Sequence, residues 1–183
     1  MGRTGSSYER ELKGLLQGDP ESMDRYARGL PPAERARFQA AGRTPFLVIR
    51  AAGSLGFDLV ALRSEFAFPV EVKASSSDTI LFSAASGRAD RQLEAHREAV
   101  ERVGMIVVYA FRRLGHRGGD PWRLYATGSI RSAGRTAFLL GRLPPVETTR
   151  EGNAVLRWDS GMPLSRFLEL VSLLTTPAPA ALA

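Results

Sequence analysis

Three charged residues stand in an otherwise apolar, strand-like stretch: Asp58, Glu71 and Lys73 in GFDLVALRSEFAFPVEVKAS, residues 56–75. Side chains alternate along a strand, so Glu71 and Lys73 of VEVKA share one face while Val70 and Val72 share the other. FDLVALR (57–63) and AFPVEVKAS (67–75) are strand-like runs joined by a tight connection, the pattern of a hairpin. Asp58 lies about as far before that turn as Glu71 lies after it. Pairing therefore brings two carboxylates and an ammonium to one edge of a sheet. Such a set supplies hard oxygen ligands for Mg²⁺, which keeps several waters in its octahedral shell. The ion makes a water acidic and stabilises charge on phosphorus, and a nearby lysine can orient that water and help deprotonate it. This is the chemistry of phosphodiester hydrolysis.

An isolated Glu-x-Lys pair on a surface strand is common and contributes only ~0.2–1 kcal/mol. The lysine carries more weight here. Of 25 basic residues only Lys13 and Lys73 are lysine. Arginine is always protonated under ordinary conditions and cannot replace a lysine whose pKa must adjust.

The surrounding sequence supplies elements to hold the hairpin. SSYERELKGLLQ (6–17) reads as a helix with an apolar stripe of Tyr8, Leu12, Leu15 and Leu16. Two short helices fit 21–42, broken at Pro31-Pro32. PFLVIRAA (45–52) precedes the hairpin as a strand, and 78–84 reads as a short strand or ordered loop. GRADRQLEAHREAVERVG (87–104) is an amphipathic helix with Leu93, Ala99, Val100 and Val103 inward and Gly104 as its stop. MIVVYAFR (105–112) has too many consecutive apolar residues for a one-sided strand and reads as buried on both faces. WRLYAT (122–127) is a strand, 128–152 mixes turn and short helix, and 153–159 is a late strand or extended loop. Residues 163–174 form a helix opening at Pro163, and 176–183 read as a disordered tail. The order implies an α/β fold with a mixed sheet and helices on its faces.

Composition bounds the function. At 183 residues the chain fits one domain, residues 1–175. A net charge of +6 favours a polyanionic partner, although arginine-rich composition also follows genome bias. The absence of cysteine excludes a disulfide framework, a thiolate metal site and a cysteine nucleophile. His96 and His116 are the only histidines and lack metal-ligand spacing; His96 sits among charged positions and is expected at the surface. The basic LGHRGG loop (114–119) lacks the residues of a phosphate loop. No signal-peptide pattern or membrane-length apolar run is present, so a cytoplasmic or nucleoid-associated protein without membrane contact is expected.

The pattern Asp-x(n)-Glu-x-Lys, with a strand before and a helix after, resembles the PD-(D/E)XK nuclease core. More narrowly, the chain resembles the archaeal-type Holliday junction resolvases. GSSYERE (5–11), VIRAAGS (48–54), FDLVAL (57–62), VEVKAS (70–75), the helix RADRQLEAHREAVERVG and the C-terminal EGNAVLRWDSGMPLSRFLELV carry the resemblance. It spans most of the chain outside 18–44, an arginine-rich helical insert that either extends a DNA surface or dimer contact or is a solvated charged helix. The family's proline before the aspartate is Phe57 here.

The resemblance implies a restriction-endonuclease-like core with a mixed central β-sheet flanked by helices. It implies a Mg²⁺-dependent (Mn²⁺ as substitute) homodimeric endonuclease acting on four-way DNA junctions. Glu9, Asp58 and Glu71 with the Val72 carbonyl become the metal ligands, Lys73 orients the water, and Gln92 positions water or lysine. Arg10, Arg50, Ser54, Arg88 and Arg91 become DNA contacts. Helical periodicity leaves Glu9 and Glu11 equivalent; the Gly-Ser-x-x-Glu-Arg frame selects Glu9. A restriction-type or repair endonuclease with the same core, or a DNA-binding module without catalysis, are the alternatives. The strand 105–112 and the helix 163–174 are the expected dimer surfaces.

Overall fold

The computed structural model describes residues 5–51, 56–64, 66–83, 87–127 and 134–175. At its centre is the expected hairpin. Strands β2 (Leu59–Arg63) and β3 (Phe66–Ser75) pair antiparallel from Leu59 opposite Val70 to Arg63 opposite Phe66. Strand β1 (Leu47–Arg50) adds to the outer side of β2. On its other side β3 runs parallel to β5 (Val108–Arg113), which requires a crossover. That crossover carries β4 (Thr79–Phe82) and α4 (Arg88–Val103). Strands β6 (Trp122–Ala126) and β9 (Met162–Pro163) complete a mixed sheet of order β1-β2-β3-β5-β6-β9.

Both faces of this sheet are covered. Helices α1 (Gly5–Leu16), α2 (Pro20–Ala27), α3 (Pro32–Ala41), α5 (Gly134–Leu140) and α6 (Leu164–Thr175) contribute to one core, which takes Val70, Val108, Ala110 and Leu124 from the strands. The opposite face packs Tyr109, Phe111 and Tyr125 against Leu93 and Val100 of α4. A second sheet, β4-β8-β7, lies in that layer, with β7 at Glu147–Thr148 and β8 at Ala154–Arg157. Alternate residues of β5 thus serve two cores, the physical reason for its unbroken apolar run. Helix α4 ends as expected at Gly104, in the left-handed region with φ 70°.

Three expectations are corrected. Strand β5 is no dimer surface: it is hydrogen-bonded on both sides, and Val108 to Phe111 are buried. The apolar stripe of α6 (Leu164, Phe167, Leu168 and Val171) is likewise consumed by the core, leaving Leu173 exposed. Residues 18–44 are not a solvated charged appendage. Met23, Tyr26, Leu30, Phe38 and Ala41 are buried, with the Tyr26 and Phe38 rings 4.6 Å apart. The charges of this segment tie it down. Arg35 Nε donates to the Ala27 carbonyl at 2.9 Å, and Glu34 accepts from the Ser165 hydroxyl of α6. The tail 176–183 lies outside the described residues.

Candidate active site

Strand alternation does what the sequence suggests. Val70 faces the helical core, whereas Glu71 and Lys73 lie in register with Tyr109 and Phe111 of β5, on the α4 side. The register also fixes Asp58. Strand β2 begins at Leu59, and the Asp58 N–H donates to the Val70 carbonyl at 3.1 Å. Past this point the edge of β3 has lost its neighbour. The Asp58 side chain takes over: Oδ2 accepts the Val72 N–H at 2.7 Å. The N–H and C=O of one strand residue point to the same edge, so the Val72 carbonyl opens beside Asp58.

Glu71 is 3 % exposed. Its Oε1 accepts from Lys73 Nζ at 2.7 Å, while Oε2 is buried and accepts no hydrogen bond. Burial pushes this carboxyl up to about 7 and the Asp58 charge pushes it further, against the pull of Lys73. Burial also raises Asp58; the Val72 N–H opposes this and the charge of Glu9 adds to it. Both carboxyls are thus raised by burial, with Lys73 and Gln92 opposing the shift at Glu71.

Helix α4 holds the lysine. Gln92 accepts from Lys73 Nζ through Oε1 at 2.9 Å and donates from Nε2 to the Gly56 carbonyl at 3.1 Å, which fixes the orientation of its amide. Two of the three ammonium donors are thereby assigned. His96, one turn further along, corrects the expectation of a surface residue. It is 3 % exposed, with Nδ1 at 2.8 Å from the Tyr109 hydroxyl and Nε2 at 2.7 Å from the Gly56 carbonyl. Its spacing from Leu93 and Val100, three before and four after, was the usable signal, since all three share one helix face. Val103, expected inward, is exposed.

The two carboxylates of α1 separate cleanly. Glu11 accepts from Arg112 Nε at 3.0 Å and from the Trp122 indole N–H at 3.1 Å, so it ties α1 to β5 and β6. Glu9 accepts from Arg50 Nη2 at 2.5 Å, and its charge reaches Asp58. Among the described residues no group of three or more His, Cys, Asp or Glu side chains is set to hold a metal, so the acidic donors at hand are Asp58 and Glu71, with Glu9 engaged by Arg50.

The expected DNA contacts are more dispersed. Arg50 flanks the carboxylates, and Arg91 is exposed on α4. Arg88 opens α4, although its side chain, like the whole of Ser54, lies outside the described residues. Arg10 instead lines a cleft of about 650 Å³ between α1, α2 and the 114–121 loop, with Arg25, Arg112 and His116.

No family model matches the chain, and no curated protein matches it in sequence. Its fold does match a solved structure, that of Hjc, a Holliday junction resolvase from the archaeal hyperthermophile Archaeoglobus fulgidus. The TM-score is 0.51 at 17 % sequence identity, covering 90 % of this chain and 94 % of that one. The mixed central sheet flanked by helices is the nuclease fold of that neighbour.

Proposed function

We propose that this protein is a divalent-metal-dependent endonuclease that resolves four-way DNA junctions by paired symmetric nicks. The observation that carries the reading is the buried, unpartnered Oε2 of Glu71 beside Asp58. Leaving a buried acceptor unsatisfied costs ~1–3 kcal/mol. A hard cation removes that cost. Asp58, Glu71 and the Val72 carbonyl fit such an ion, Mg²⁺ or in its place Mn²⁺, as an all-oxygen set that leaves room for water. Glu9 completes the set through water or after release from Arg50.

When bound, the cation supplies Lewis acidity, which brings water ionisation towards neutral pH and offsets phosphate charge. The protein's own groups supply position. Lys73 is held by Glu71 and Gln92 with one N–H left over, and that donor orients the attacking water. The oriented water would attack phosphorus in line with the leaving sugar oxygen; the bond from phosphorus to that oxygen would break, the water's proton passing to solvent and the leaving oxygen taking one from it. Arg50, Arg91, Arg88, Ser54 and Arg10 contact phosphates. Specificity comes from branch shape rather than base edges, because phosphate contacts position DNA without reading its sequence.

Residues 1–175 act as one domain in this reading, with 18–44 as an addition built into its core. Two nicks across a junction require two sites, so a twofold dimer in the cytoplasm or nucleoid is the working unit. The test is cleavage of a four-way junction and of linear duplexes with the same arm sequences, in Mg²⁺ and in EDTA. Preferential nicking of the junction in Mg²⁺ is expected. Equal rates on both substrates refute the junction reading in favour of a restriction-type or repair enzyme. Binding without any Mg²⁺-dependent nicking reduces the protein to a DNA-binding module.

A further inference from the structure

We infer that His96 is a positioning residue for Asp58, acting through the Gly56-Phe57 segment; the inference rests on the nuclease reading above. The Gly56 carbonyl receives two donors from successive turns of α4, Gln92 Nε2 at 3.1 Å and His96 Nε2 at 2.7 Å. A carbonyl only accepts, so Nε2 of His96 carries the proton and Nδ1 accepts the Tyr109 O–H at 2.8 Å. The imidazole also stacks on the Phe57 ring, with centroids 4.9 Å apart and planes at 28°. Both residues immediately before Asp58 are thus fixed by the one side chain. Gly56, at φ 74°, occupies the left-handed region in which other residues are strained, and so presents its carbonyl to the helix.

The connections form two arms from a single helix. One runs from Gln92 through Lys73 to Glu71. The other runs from Tyr109 through His96 to Gly56 and Phe57, and so to Asp58. Helix α4 therefore ties the two carboxylates together: the backbone of Asp58 itself is bonded to Val70 and Ala51, and His96 holds the two residues that lead into it. A group that orients a ligand without touching the metal affects metal affinity about 10–100-fold in known sites. A core histidine with no such task would change stability alone.

The test is Mn²⁺ binding by calorimetry, together with single-turnover junction cleavage, melting temperature and junction affinity in EDTA. His96→Phe keeps an aromatic ring against Phe57 and loses both hydrogen bonds. It is expected to bind the junction as wild type does, to bind Mn²⁺ about tenfold more weakly and to cleave more slowly at limiting metal. His96→Gln returns a donor near the position of Nε2 and recovers most of the loss. Should His96→Phe fail to fold, Tyr109→Phe removes only the hydroxyl that orients the imidazole and is expected to act in the same direction, less strongly. Wild-type Mn²⁺ affinity and cleavage in a folded His96→Phe or, failing that, in Tyr109→Phe overturn the inference. So does a folded His96→Gln that recovers nothing. A wild-type chain that neither binds Mn²⁺ nor cuts overturns the nuclease reading itself, and this one with it.

Discussion

Substituting Glu71 by Gln should stabilise the metal-free protein at alkaline pH. Burial holds the Glu71 carboxyl at about 7, against an ordinary value of 4.5. The folded chain therefore binds this proton more tightly than the unfolded chain. That stabilisation is full below about pH 4.5 and is lost as pH rises through about 7. The difference corresponds to at most about 3 kcal/mol. In a chain of this size it moves the melting temperature by roughly 6–12 °C. Glutamine mimics the protonated acid and keeps an oxygen for Lys73 Nζ. Melting curves in EDTA from pH 4.5 to 8.5 are the assay. The variant should melt higher than wild type at pH 8 and level with it at pH 4.5. Mg²⁺ should raise the wild-type melting temperature at pH 8 and leave the variant unmoved. Parallel pH profiles, or a variant less stable than wild type at pH 8, refute a Glu71 carboxyl raised by burial.

Three further outcomes follow from the contacts around the site. Lys73→Met removes the cation paired with Glu71 and should slow single-turnover cleavage at least about a hundredfold; Lys73→Arg should not restore it, since guanidinium neither fits the ammonium's place nor gives up a proton. Phe38→Ala should cost about 3–5 kcal/mol in urea unfolding, because the ring is fully buried in the main core beside Tyr26; a cost under about 1 kcal/mol would remove residues 18–44 from the core. Glu9→Gln should slow cleavage more than it lowers stability, whereas Glu11→Gln should do the reverse by weakening the contacts to Arg112 and Trp122; the opposite pattern would exchange their roles.

The hairpin was legible in the sequence because strand alternation is a local rule. Glu71 and Lys73 share a face wherever VEVKA is extended, and counting from the turn brings Asp58 to them. Glu9 and Glu11 were not separable that way. Both flank one apolar stripe, and what distinguishes them arrives from β5 and β6, about a hundred residues away. His96 was misjudged from its charged neighbours in sequence, which lie on other faces of α4. The second sheet was hidden for a different reason. Its strands are two to four residues long, and Thr79 pairs with Arg157, 78 residues further along the chain. Strand β5 was correctly expected to be buried, and the same fact removes it as a dimer surface. Arg112 and Arg113 pair with Glu11 and Asp78, partners that no local pattern in the sequence indicates.

The most direct measurement is single-turnover cleavage of a labelled four-way junction in Mg²⁺ by wild type and by Asp58→Asn, with binding followed by gel shift in EDTA. Asparagine keeps an oxygen to accept the Val72 N–H, so the fold and the DNA surface should be unchanged. Wild type should make paired nicks, and the variant should bind with equal affinity and cut no faster than background. Cleavage retained by Asp58→Asn, or none by wild type in Mg²⁺, would contradict a nuclease built on Asp58, Glu71 and Lys73.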